Sequence, residues 1–113
     1  MSAVSELETA VERHAEVFNA AVREGDFAAL VDTFAPTAVM RFIGVPFGPY
    51  VGRDAIARAY ADSPPDDTMS IVDVREAGPQ TAQARFAWAH GGTGSMTVSW
   101  HEGQIIDLTI AFD

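Results

Sequence analysis

Three titratable side chains occupy positions from which they could act on a small molecule, and the first is His14. It recurs with Leu7, Val11 and Phe18 at helical spacing, so it points toward the interior of the protein. A histidine buried beside apolar rings is held in its neutral form, which can accept a proton at neutral pH. His14 is therefore a candidate general base, and a structural histidine of the core is the alternative.

The other two candidates are His90 and Tyr60. His90 ends a strand whose Phe86 and Trp88 share its face, which would place it at the mouth of an interior pocket as a second candidate base. A partly exposed strand-end residue is the alternative. Tyr60 follows Ile56 by one helical turn, and its hydroxyl could donate a hydrogen bond to a carbonyl group. A core tyrosine satisfied by backbone or water is the alternative there.

Several chemistries are excluded by what the sequence lacks. It has no cysteine, which excludes thiolate nucleophiles, and no lysine, which excludes Schiff-base catalysis. His90 and His101 point to opposite faces, and His101-Glu102 lacks the second histidine of a zinc helix. The glycine-rich segment 91–94 joins two strands instead of leading into a helix, so it is no phosphate loop. We expect neither a metal nor a cofactor.

Length and charge limit the class of protein and its partners. The 113 residues fit one domain, 1–113, with enough chain for one core. The net charge of -9 argues against nucleic acid and anionic membrane surfaces, which need a basic footprint. The first residues lack the basic and apolar regions of a signal peptide, and no run is apolar enough to span a bilayer. A cytoplasmic protein is the expectation.

The elements that must position these side chains are clearest in the last third of the chain. Alternating residue types predict strands over 81–90, 95–101 and 104–112, with glycines between them. One face of this sheet is apolar and needs a cover. Its predicted inward side chains are Ala82, Ala84, Phe86, Trp88, His90, Met96, Val98, Trp100, Ile106, Leu108, Ile110 and Phe112.

The first two-thirds of the chain supply the cover. We predict helices over 6–24, with a capping box at Ser5 and Glu8, then from Asp26 to the residues before Pro36, and over 54–62. Strands are predicted over 38–43 and 69–75, with a short one at Tyr50 and Val51. Asp66 and Asp67 should form a solvated turn. Helices followed by an antiparallel sheet indicate an α+β fold.

This order of elements and several short phrases resemble the nuclear transport factor 2-like superfamily, and within it SnoaL-like and ketosteroid isomerase-like proteins. The resemblance implies a cone-shaped curved antiparallel sheet covered by three helices, a mostly apolar pocket, and a homodimer through the outer face of the sheet. The phrases are Gly25-Asp26-Phe27 leading to Phe34-Ala35, Gly48-Pro49-Tyr50-Val51-Gly52-Arg53-Asp54-Ala55-Ile56, and Gly103-Gln104-Ile105-Ile106 with Phe112-Asp113.

The acids of these families have no counterpart in this chain. The resemblance puts the isomerase base at Phe42, its tyrosine at Phe18 and its protonated aspartic acid near Val98, while the cyclase aspartate falls at Ile110. None of these side chains can exchange a proton, so the family mechanisms are not expected here. Tyr60 matches a tyrosine that the isomerases keep beside the pocket.

The turn before the last strand decides which way Asp107 points. A tight two-residue turn at Glu102-Gly103 would invert the strand and bring Asp107 inward. A bulged turn would keep Ile106, Leu108 and Ile110 inward instead, and we expect that arrangement.

The sequence therefore predicts a protein that binds a hydrophobic organic molecule. It could catalyse isomerisation, cyclisation or hydration by proton transfer, with His14 or His90 as base and Tyr60 as donor. A non-catalytic carrier or sensor and a dimeric assembly module are the alternatives. The expected ligand contacts are Phe18, Met40, Phe42, Phe86, Trp88, Val98, Trp100, Leu108 and Ile110.

Overall fold

A computed structural model describes residues 3–113, and the side chains from Ser5 onward. The three helices are α1 (Ala3–Glu24), α2 (Ala28–Val31) and α3 (Arg53–Asp62). The strands are β1 (Phe34–Ile43), β2 (Tyr50–Val51), β3 (Met69–Gly78), β4 (Thr81–Trp88), β5 (Thr93–His101) and β6 (Gln104–Phe112). No helix in this described range is both long and apolar enough to cross a membrane.

The strands form one curved, unclosed sheet in the order β2-β1-β6-β5-β4-β3 across the described residues. β1 runs parallel to β6, and the other neighbouring strands are antiparallel. The parallel pair arises because α3 and the strands from β2 to β5 intervene in the sequence, and such a pair needs a long crossover. The predicted α+β fold is confirmed.

The helices cover the inner face of the sheet. α1 packs on β3 and β4, α3 packs on β1 and β2, and α2 contacts both helices. Asn19 ties α1 to the first residue of β3, because its side-chain Oδ1 accepts from the Met69 amide and its Nδ2 donates to the Met69 carbonyl, both at 2.8 Å. The amide of Asn19 thus imitates a strand neighbour and fixes where β3 begins.

The core lies between α1 and the inner face of β4, β5 and β6. A sheet with one covered face alternates buried and exposed residues, and the predicted parity is correct through most of these strands. The fully buried inner side chains include Ala82, Ala84, Phe86, Met96, Val98 and Leu108.

The turn between β5 and β6 combines the two arrangements that the sequence left open. His101 pairs with Gln104, so Glu102 and Gly103 form a two-residue turn, and both have positive φ (51° and 81°). This is the backbone conformation of a tight hairpin turn. The pairing then shifts between Ser99 and Trp100, which places a bulge inside β6.

The bulge corrects the predicted faces of β6. Trp100 pairs with Ile105 and Ser99 with Asp107, so Ile106 is the extra residue. Ile105 is consequently 2% exposed and Ile106 39% exposed, and the prediction that Ile106 faces inward is wrong. The strand recovers its predicted parity after the bulge.

Asp107 lies on the outer face of the sheet. Its carboxylate forms an ion pair with Arg41 on the neighbouring strand β1, and its Oδ1 accepts a hydrogen bond from the Thr109 hydroxyl at 3.1 Å. Asp107 therefore does not face the interior.

Two boundaries near the N-terminus also differ from the prediction. α1 begins at Ala3, so Ser5 lies within the helix and does not cap it. α2 ends at Val31, and Pro36 lies inside β1, where the pairing with β6 shifts between Phe34 and Val39. A proline cannot donate to a strand ladder, which accounts for an irregular stretch there.

Candidate functional site

An apolar pocket of about 360 Å³ lies between the helices and the inner face of the sheet. α1 and α3 supply one wall, strands of the sheet supply the other, and two loops form the mouth. The lining residues are His14, Phe18, Phe42, Tyr60, Pro65, Asp66, Asp67, Met69, Phe86, Trp88, Gly91, Met96, Leu108, Ile110 and Phe112.

The structure brings most of the expected ligand contacts together in this pocket. They are Phe18, Phe42, Phe86, Trp88, Leu108 and Ile110. Met40 lines a smaller neighbouring cavity, and Val98 is fully buried in the core. Trp100 lines a second, larger cavity, which His14 also lines. The sequence analysis did not single out Met69 or Phe112 as lining residues.

Aromatic rings form a continuous wall around the pocket. Trp88 packs edge-on against Phe86 with ring centroids 5.0 Å apart, and Phe112 stacks with Phe42 at 6.1 Å. Gly94, directly across from Phe86 on β5, makes room for that ring, since an added Cβ would lie 2.6 Å from Phe86 Cζ. Offset and edge-to-face contacts of this kind hold rings in place, so the wall is preformed.

His14 brings a polar group into this apolar surface. Its position on the buried stripe of α1 leaves it 6% exposed, and its Nδ1 has no hydrogen-bond partner in the described chain. Burial lowers the pKa of His14 to about 4, because the charged imidazolium would be desolvated. The side chain is therefore neutral at neutral pH and keeps an unused polar nitrogen.

Tyr60 lines the same pocket from α3. Its ring stacks on Phe27 with centroids 5.2 Å apart and planes 7° from parallel, which fixes its orientation. Burial raises the pKa of Tyr60 well above its ordinary value, because a phenolate would be desolvated. The hydroxyl therefore stays protonated and can donate a hydrogen bond at any physiological pH.

His90 lies outside the pocket wall, beside the mouth. Its side chain is 83% exposed, and its Nδ1 lies 2.8 Å from Asp67 Oδ1. The His90 backbone amide also donates to Asp67 Oδ2 at 3.1 Å, and the Thr68 amide donates to Oδ1 at 2.9 Å. These contacts fasten the loop before β3 to the turn after β4.

Asp67 is the mouth residue that the sequence analysis missed. It does not form the expected solvated turn, since its side chain is only 18% exposed and lines the pocket. Partial desolvation opposes its ionisation, but hydrogen bonds from the His90 amide and ring and the Thr68 amide prevail and lower the pKa of Asp67. Because Asp67 and His90 are 23 residues apart, no local sequence signal predicts their contact.

Few charged side chains line the pocket. Among the lining residues only Asp66 and Asp67 are charged, since His14 and Tyr60 are neutral and no arginine lines the wall. No three His, Asp or Glu side chains from residue 5 onward come close enough together to hold a metal ion. The arrangement can enclose an apolar molecule, offer it a neutral imidazole and a phenol, and place a carboxylate at the entrance.

Comparisons with solved structures find the same fold in proteins of low sequence identity. A candidate polyketide cyclase from Sinorhizobium meliloti is 21% identical with a TM-score of 0.66, covering 87% of this chain and 93% of its own. A candidate ketosteroid isomerase from Kribbella flavida is 13% identical with a TM-score of 0.75, covering 97% and 79%. An NTF-2 like protein from Burkholderia xenovorans is 15% identical with a TM-score of 0.67, covering 94% and 84%.

The sequence itself decides the family. A search of curated proteins gives no significant match. The family model of the SnoaL-like domain matches residues 11–108, which include α1 from Val11 onward, all of α2 and α3, and the sheet as far as Leu108. The chain therefore belongs to the SnoaL-like domain family.

Proposed function

We propose that this protein binds an apolar organic molecule in the pocket and moves a proton on it without a cofactor. The observation that carries the proposal is His14, a buried, neutral histidine with an unpartnered Nδ1, on the wall of a mostly apolar cavity. A buried polar group without a partner destabilises a protein, and such groups are concentrated at functional sites.

Binding follows from the shape and lining of the pocket. A cavity of about 360 Å³ is in the size range of small-molecule sites, and its walls are mostly aromatic rings and methionine side chains. Transfer of an apolar ring from water into such a site contributes roughly 25 cal/mol for each Å² of apolar surface removed from water.

The two polar side chains on the wall support the proposal of proton transfer. The neutral imidazole of His14 accepts a proton from carbon beside a carbonyl group, while the Tyr60 hydroxyl donates a hydrogen bond to the carbonyl oxygen as negative charge develops there. Isomerisation and cyclisation begin with such a step, and His14 then returns the proton to another carbon or to the oxygen of the new hydroxyl group. In hydration of a double bond conjugated to the carbonyl, His14 would instead take a proton from water as its oxygen adds to the far carbon, and would deliver that proton to the carbon beside the carbonyl. We assign the base to His14 rather than His90, because the His90 side chain is exposed and bonded to Asp67.

A carrier or sensor without catalysis is the second candidate. The observation in its favour is that Phe18, Phe42 and Ile110 line the pocket where the related enzymes would place their tyrosine and acids. A pocket with those substitutions retains a surface for an apolar ligand and loses the strongest proton-transfer groups.

The first experiment identifies the ligand and tests binding. Organic extraction of the purified protein and mass spectrometry would reveal what copurifies, and each compound found would be added back in a thermal-shift assay. A ligand at about 100 times its Kd should stabilise the fold by about 2.7 kcal/mol. If no compound, captured or screened, raises the melting temperature, binding in the pocket is contradicted.

The second experiment distinguishes an enzyme from a non-catalytic carrier. The captured compound is incubated with protein in heavy water, and deuterium incorporation is followed by mass spectrometry. We expect His14→Leu to slow exchange by about 100-fold and Tyr60→Phe to slow it less, with Tyr50→Phe as the control. Unchanged exchange in His14→Leu would remove the assigned base, and binding without any exchange would favour the carrier.

We also propose that two copies associate through the outer face of the sheet. Two rows of paired polar residues support this, because most of their side chains are short. Thr109, Thr97 and Gln83 form the central row. Thr81 and Ser99 join their hydroxyls at 3.0 Å in the next row.

A further inference from the structure

We propose that the pocket selects apolar molecules that carry a protonated amine, with the amine bound by Asp67 at the mouth. This inference rests on the proposed binding function and adds the chemical class of the ligand. It comes from the distribution of charge along the pocket, which has an uncharged inner wall and a negative entrance.

Asp67 has a free acceptor position for a ligand. Its Oδ1 accepts from the Thr68 amide and contacts the His90 ring, while Oδ2 accepts only from the His90 amide. A carboxylate oxygen has two acceptor positions, so one on Oδ2 remains. The three contacts hold the carboxylate at the pocket and keep it ionised, so a ligand donor meets a preorganised anion.

Nothing on the pocket wall balances this negative charge. Asp66 lines the same entrance, and neither arginine nor lysine is among the lining residues. The His90 ring lies beside the mouth, and its Nδ1 is already bonded to Asp67. With a net charge of -9 on the whole chain, the entrance attracts cations and repels carboxylates and phosphates.

The inner wall fixes the orientation of the ligand. His14 and Tyr60 on the inner wall are both less than 10% exposed and neutral, so a charged group placed beside them would be desolvated without an ionic partner. The apolar part of the ligand therefore lies against Trp88 and Phe86, and its amine remains near Asp67.

Three probes with one ring system test the inference. They are 2-(1-naphthyl)ethylamine, 2-(1-naphthyl)ethanol and the carboxylate 1-naphthaleneacetate. Their affinities are measured by isothermal titration calorimetry at about pH 8, where imidazoles are ordinarily neutral. We expect the amine to bind about tenfold more tightly than the alcohol, and the carboxylate to bind most weakly. Asp67→Asn should abolish the preference for the amine and improve binding of the carboxylate. A variant that merely unfolded would not bind the carboxylate more tightly.

Asp62→Asn is the matched control, because it removes the same charge from an exposed position at the end of α3, outside the pocket. It should leave the order of the three affinities unchanged. If the alcohol binds and the amine shows no preference, or if Asp67→Asn keeps the preference, the inference is overturned and the binding function stands. If none of the three probes binds, the inference is overturned, and the binding function is decided separately by the extracted compounds in the thermal-shift assay.

Discussion

His14 couples the stability of the protein to pH. Its pKa is about 4 in the folded state and about 6.5 in the unfolded chain, so the unfolded state takes up a proton first as the pH falls. The free energy of unfolding should therefore decrease between about pH 6.5 and pH 4, by about 3 kcal/mol in total. Urea denaturation at a series of pH values would measure it.

The variant His14→Leu should remove this dependence, because leucine fills a similar volume and does not titrate. His101→Leu, at an exposed position, is the control and should keep it. Folding lowers the pKa values of Asp67 and Asp113. Their contribution to the free energy of unfolding is therefore lost only below the ordinary carboxyl range, at a lower pH than the loss caused by His14. A wild-type stability that stays constant from pH 6.5 to pH 4.5 would contradict the buried neutral histidine.

Asp67 and His90 meet at the mouth of the pocket, although no local sequence motif contains both residues. Each lies in a loop, and the two loops approach only because β3 and β4 pair from Met69 with Trp88 onward. The hydrogen bonds between them then fix the carboxylate at the entrance of the pocket. A site of this kind combines a sheet with two connecting loops, which is a common way to place function on loops.

The bulge in β6 is the element that sets which side chains reach the interior. It turns the strand between Ile105 and Asp107, so that Ile105 and Leu108 both face inward and Ile106 faces out. Without it, the tight turn at Glu102 and Gly103 would have exposed the apolar residues of the last strand. The bulge is therefore what allows the shortest hairpin turn to coexist with an apolar inner face.

This arrangement predicts unequal effects for two adjacent isoleucines. Ile105→Ala should lower the free energy of unfolding by about 3 kcal/mol, because it leaves a cavity in the core. Ile106→Ala should change it by about 0.5 kcal/mol or less, as expected on a surface. Chemical denaturation of the two variants measures the difference, and each serves as the control for the other. Equal losses, or a larger loss for Ile106→Ala, would contradict the bulge.

The elements that could be predicted from the sequence are those with a regular period. Alternation identified β4 and β5 and their buried faces, and helical spacing identified α1 with His14 on its inner side. The position of a bulge could not be predicted, since Ile105 and Ile106 are equally apolar and either can be buried. Pro36 suggested the end of a helix, yet an irregular strand tolerates it equally well.

The site was less predictable than the fold. Alternation along a strand tells which face of the sheet a side chain lies on, but it does not tell whether that side chain reaches the pocket or stays in the core. Val98 and Leu108 both point inward, but Val98 is enclosed by core side chains and only Leu108 reaches the pocket. Asp67 was assigned to solvent because a charged residue after two prolines is usually a turn. Its role depends on a contact with His90 that only the folded chain creates.

At the scale of the whole molecule, a small protein divides its apolar surface between a core and a pocket. α1 contributes to both, since Val11 is fully buried in the core and Phe18, about two turns later, lines the pocket. The opposite face of the sheet carries neither, and it is mostly polar at its centre, with Ile43 and Ile106 exposed on it. Ion pairs between Arg41 and Asp107 and between Arg85 and Asp113 lie on that face. The acidic net charge is therefore only partly compensated there.

The proposed homodimer should respond to salt in a direction set by this charge. Two copies of a chain with a net charge of -9 repel each other, and the repulsion is screened over about 10 Å at 0.1 M salt and about 3 Å at 1 M. Sedimentation equilibrium should therefore show tighter association at the higher salt concentration. Thr97→Glu, at the centre of the outer face, should shift the protein toward monomer at both concentrations.

Ala61→Glu is the matched control, because it adds the same charge at an exposed position on α3, away from the outer face of the sheet. It should weaken association slightly, and only at the lower salt concentration, since its effect acts through net charge alone. Loss of the dimer in Thr97→Glu at 1 M salt must then come from a carboxylate buried in the interface. A wild-type protein that sediments as a monomer at both concentrations, or equal effects of the two variants, would remove the outer face as the site of association.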